Sequence, residues 1–97
     1  MPDDKSRLEQ ALQTALENKQ TFELGDLVEK AQETYPNEAF TFRYTAEHHL
    51  LRWNYGEAIE QLEKALNLMP DSVDLKLKLA FAKNKNYDQE GAKAIYT

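Results

Sequence analysis

Two adjacent histidines, His48 and His49, and the carboxylates Glu57, Glu60 and Glu63 are the densest titratable features of this chain. Neighbouring residues on a helix point about 100° apart, so the two imidazoles do not chelate one metal as an i, i+4 pair does. Glu60 and Lys64 have the spacing of a helix-surface ion pair, which contributes a few tenths of a kcal/mol and no catalysis. There is no cysteine, hence no thiolate nucleophile, thiolate metal site or disulfide framework. The sequence holds no nucleophile–base arrangement, no Gly-rich phosphate loop and no metal-ligand cluster. It is therefore read as non-catalytic, with no metal and no cofactor. Trp53 and Tyr55 are read as plugging a helix turn rather than as a recognition patch.

Composition sets the frame for whatever positions these residues. With 97 residues, 41% hydrophobic and 30% charged, the chain is the size of one domain with a modest core. The net charge of −5 is uneven: residues 1–36 hold eight acids against four bases, residues 37–70 five against three, and residues 71–97 four against five. The basic end is too weak for a phosphate-binding stripe, so nucleic acid is not expected as a partner. The charged start, MPDDKSRLEQ, has no apolar core like that of a secretory signal, and no apolar run approaches the roughly 18 residues of a membrane span. A soluble, cytoplasmic protein without membrane insertion is expected.

Hydrophobic spacing predicts helices throughout. Asp3 and Asp4 are candidate N-caps for a first helix to about Lys19, with Leu8, Ala11, Leu12, Ala15 and Leu16 inward. Thr21 is expected to cap a second, with Phe22, Leu24, Leu27, Val28 and Ala31 inward. Gly25 interrupts that stripe, so either the helix starts after it or a neighbouring backbone approaches too closely for a side chain. Pro36 ends the second helix, and Asn37 is expected to cap a third over residues 38–52 with Phe42, Thr45, Ala46, His49 and Leu50 inward. The clearest amphipathic stripe is Ala58, Ile59, Leu62, Ala65, Leu66 and Met69, in a fourth helix over residues 55–70.

Pro36 and Pro70 are 34 residues apart, and Asn37 and Asp71 follow them in the same phase. The same shift relates Ala46 to Ala80, Ala58 to Ala92, Trp53 to Tyr87 and Ala31 to Ala65. Val73, Leu75, Leu77, Leu79 and Phe81 alternate as a strand would, but the segment lies in phase with the third helix and follows an Asp–Ser cap. It is read as helix, because a lone strand has no partner. A sixth helix over residues 88–96 would present Ala92, Ile95 and Tyr96.

A 34-residue helix–turn–helix period with these alanines resembles the tetratricopeptide repeat (TPR) family. The resemblance implies an all-α single domain, residues 1–97, of about six helices stacked as a right-handed superhelix. Its repeats fall at residues 3–36, 37–70 and 71–97, the last incomplete. Ala46, Ala58, Ala65, Ala80 and Ala92 match the small residues at helix crossings, whereas Leu12 and Leu24 replace small residues in the first repeat. Trp53 and Tyr87 stand where a small residue is usual, which implies wider turns there. His49 stands where the family often buries a Tyr, which implies a core role.

The resemblance further implies a scaffold that binds a peptide or partner protein in a concave groove. Carried over by position, the groove presents Ser6, Glu9 and Gln13, then Phe40, Arg43 and Glu47, then Asp74, Leu77, Lys78 and Phe81. Phe40 and Phe81 would be apolar anchors, and Arg43 and Lys78 partners for carboxylates. One variant of the family grips a C-terminal carboxylate, but Glu9, Gln13, Tyr44, Asp74 and Lys78 at the matching places supply two acids and a Tyr among its donors, so that clamp is not expected. Solenoids leave their last apolar face open unless it is capped. A piece of a longer array, or self-association through the C-terminal helix, is the expectation there, and a structural self-association module is the alternative function.

Overall fold

The computed structural model describes the backbone of residues 4–96 and the side chains of residues 4–87. It is all-helical, with α1 Asp4–Glu17, α2 Thr21–Thr34, α3 Ala39–Leu51, α4 Tyr55–Leu68 and α5 Val73–Tyr96. The 34-residue period is present in the helix limits. α2 shifted by 34 gives the limits of α4, and the first residue of α3 shifted by 34 gives that of α5. Each helix packs on the next, and α1 also touches α3. None of these helices is long and apolar enough to cross a membrane among the described residues.

The interior forms two clusters. Leu8, Leu12, Ala15, Leu24, Val28, Ala31 and Tyr44 fill the first, between α1, α2 and α3. Ala46, Ala58, Leu62, Ala65, Leu75 and Ala82 form the second, between α3, α4 and α5. Leu12 and Leu24 are fully buried, as are Ala46 and Ala58 at the equivalent places of the next hairpin. Large residues fill the first crossing, and small ones let α3 and α4 make the most extensive pairing in the chain.

Five expectations are corrected. There are five helices among the described residues rather than six, because α5 runs on through residues 84–88, where no Gly or Pro breaks it. The side chains of Ala92, Ile95 and Tyr96 lie outside those described. Ala80 is exposed and Ala82 is fully buried, since no helix returns to pack on Ala80. Thr21 and Asn37 are not caps. Gln20 and Glu38 hold the N-cap positions, neither with a side-chain cap bond, and the Glu38 carboxylate is taken by Lys5 instead. Phe22 and Met69 point outward, at the edges of their stripes.

The turn at Trp53, expected to be wider than normal, is instead no wider than the turn at Lys19. Lys19 and Trp53 both have positive φ, and the N–H groups of Lys19 and Gln20 donate to the Leu16 and Ala15 carbonyls as those of Trp53 and Asn54 donate to Leu50 and His49. Both are Schellman turns. At Tyr87 there is no turn.

The period-2 stretch is helical, as expected. Ser72 Oγ accepts the Leu75 N–H at 3.3 Å, which caps α5. Leu75 is buried and Leu79 half-buried against α4, while Val73, Leu77 and Phe81 form an exposed stripe.

Candidate functional site

α1, α3 and α5 share one face, and three ion pairs fasten it. Lys5 Nζ lies 2.6 Å from Glu38 Oε2, Arg43 Nη2 lies 3.5 Å from Asp74 Oδ2, and Lys78 Nζ lies 2.8 Å from Glu47 Oε1. The first joins α1 to the start of α3, and the other two join α3 to α5. Lys5 also lies over the Phe40 ring at 5.7 Å, and the Arg43 guanidinium over the Tyr44 ring at 5.2 Å. The Glu47 side chain is only 9% exposed. Its Oε1 contacts Lys78 without hydrogen-bond alignment, and Arg43 Nε is likewise buried without an acceptor. The floor of this face is thus ionic and tightly interlocked.

Two clefts open on the face. One of about 330 Å³ is lined by Glu9, Phe40 and Arg43 together with Lys5, Glu38 and Met69. A second of about 450 Å³ is lined by Glu47, Asp74, Leu77, Lys78 and Phe81 with Leu50 and Leu51. Eight of the ten groove positions expected from the sequence therefore border these clefts. Ser6 and Gln13 do not, and the Gln13 amide donates to Glu17 Oε1 at 3.0 Å on its own helix. Arg43 and Lys78 face the clefts as expected, but both already hold carboxylates of the chain.

The cleft residues that sequence reasoning missed are Lys5, Glu38, Met69, Leu50 and Leu51, and Val73 continues the exposed α5 stripe beside them. Extending the 34-residue phase by one helical turn places Lys5, Ala39 and Val73 in the row that precedes Glu9, Arg43 and Leu77. Tyr44 was also unmarked as core. Burial raises its pKa above the usual phenol value, Arg43 opposes this, and the carboxylates of Glu9, Glu47 and Glu17 add to it. The phenol stays protonated at neutral pH.

The two histidines lie side by side on α3. The His48 and His49 ring centroids are 6.4 Å apart and tilted by 45°, and no three acids or histidines among the described residues could hold a metal. His48 lies against Gly25, where an added Cβ would sit 2.9 Å from its Nε2. Side-chain crowding, not backbone crowding, is what favours glycine there, and α2 begins well before it. Burial is the main cause that lowers both histidine pKa values, with Arg52 adding to it. The two α3 threonine hydroxyls donate to backbone: Thr41 to the Tyr35 carbonyl and Thr45 to that of Thr41, each at 2.7 Å.

No protein-family model, curated protein or solved structure matches the chain at a significant level.

Proposed function

We propose that the chain is a TPR-type protein-interaction scaffold, its hairpins nested as a right-handed superhelix, that binds a peptide or partner protein along the face of α1, α3 and α5 without chemistry. The observation that carries this reading is the exposure of Leu77 and Phe81, 66% and 51%, beside a cleft whose floor is already braced by ion pairs. Large apolar groups beside a prearranged polar floor are the anatomy of an anchor site, where a partner gains buried area without first ordering the surface. The identical limits of α2 and α4 after a 34-residue shift support the repeat reading.

A peptide-array screen with the intact chain tests it. Binders should appear and should weaken with Phe81→Ala, while Arg43→Ala acts by loosening Asp74. A binder indifferent to both substitutions would place the site elsewhere. The exposed α5 stripe also favours a second reading, self-association through that helix. Sedimentation at rising concentration separates the two, since a monomer throughout removes the second.

A further inference from the structure

We infer that the groove is polarised and takes an extended segment with bulky apolar residues at one end and Lys or Arg about five or six residues away. This rests on the groove reading above and specifies its ligand.

The three rows of the face differ in chemistry. On α5 the row is Val73, Leu77 and Phe81, exposed by 67%, 66% and 51%. On α1 the equivalent row is Lys5, Glu9 and Gln13, followed by Glu17 one turn on. The apolar row adjoins Leu50 and Leu51 in the larger cleft. An apolar side chain is therefore held at the α5 end.

Charge decides the other end. The cations facing the groove are Lys5, Arg43, Lys78 and Lys85. The first three hold Glu38, Asp74 and Glu47, and Lys85 lies 5.7 Å over the Phe81 ring. Glu9 and Glu17 have no cationic partner among the described residues. Glu9 lines the smaller cleft beside Phe40 and Arg43 of α3, and Glu17 lies two turns on along the same row of α1. A Lys or Arg of the ligand would supply the missing charge.

Geometry sets the separation. Packed helices are about 8–10 Å apart, so α1 and α5, either side of α3, stand roughly 16–20 Å apart. An extended chain covers that distance in about five or six residues.

The test is selection of a random peptide library displayed on phage against the intact chain. The expected binders carry Leu, Ile, Phe or Met in one block and Lys or Arg in another, at that separation. For a selected peptide, Phe81→Ala should weaken binding by about tenfold or more. Joint Glu9→Gln and Glu17→Gln should weaken it by about threefold to tenfold and flatten its salt dependence, with circular dichroism checking that each variant folds. Binders rich in Asp or Glu, or basic binders indifferent to the Glu9 and Glu17 changes, would overturn this inference and leave the groove reading standing. Absence of binders, or binders indifferent to Phe81→Ala, would remove the groove reading and this inference with it. A concentration-dependent dimer abolished by Phe81→Ala would make a second copy the occupant and overturn the inference.

Discussion

Lys19 and Trp53 stand 34 residues apart and share one backbone conformation, with φ of 54° and 61°. Both terminate a Schellman turn at the position where glycine is usual. A left-handed residue with a Cβ costs roughly 1–2 kcal/mol, and Trp53 recovers little of it because its side chain is 72% exposed. Trp53→Gly is therefore expected to stabilise the fold by about 0.5–1 kcal/mol, after the greater unfolded-state freedom of glycine is subtracted. Urea unfolding followed by far-UV circular dichroism measures it, since the substitution removes the single Trp that fluorescence would use. A lower urea midpoint would mean that the indole makes contacts outweighing the strain.

Gly25 poses the opposite problem. Helix propensity favours Ala there by about 1 kcal/mol, but its Cβ would press on the His48 ring. Gly25→Ala is expected to be near neutral in the intact chain and stabilising by about 1 kcal/mol in a His48→Ala background. A double-mutant cycle reads the coupling, and additive effects would show that the ring swings aside freely.

Much of this architecture is legible in the sequence for a physical reason. α4 shows one apolar stripe because it buries one side, and Ser72 announces α5 because a hydroxyl caps a helix through local bonds. α3 is the opposite case. It is packed on several sides, so Thr41, Tyr44 and Glu47 are buried without a stripe to mark them. Their partners lie in other helices or turns, as with Lys78 for Glu47, and local spacing does not reveal such pairs. The left-handed turn at Trp53 is silent in the same way, because neither Gly nor Asn marks it. The candidate groove follows from the family resemblance carried over by position, whereas the engagement of Arg43 and Lys78 by acids of the chain depends on tertiary structure that local spacing does not show.

The Glu47–Lys78 pair makes a sharper prediction. Lys78→Met would leave a carboxylate in a site only 9% exposed with its nearest cation gone, at an expected loss of about 2 kcal/mol. Glu47→Gln in the same chain should restore most of that loss, because no buried charge then remains. Chemical denaturation of the two single variants and the double variant decides it. A double variant as unstable as Lys78→Met would mean that packing of the lysine stem matters more than its charge.

His48 and His49 give a pH dependence whose sign is fixed by their surroundings. Both are held below the ordinary imidazole value of 6.5, by burial first and by Arg52 second. Arg52 Nη2 lies 3.0 Å from His49 Nδ1, a donor contact that requires an unprotonated nitrogen. The unfolded chain therefore binds these protons at a higher pH than the folded one. Their contribution to stability is complete above about pH 7 and declines as pH falls through 6.5 toward the lower folded values. Urea midpoints at pH 7.5 should exceed those at pH 5.5. His49→Gln should narrow that gap, since the glutamine oxygen can still accept from Arg52 and carries no proton to gain. An unchanged gap in this variant and in His48→Gln would assign the pH dependence to the carboxylates instead.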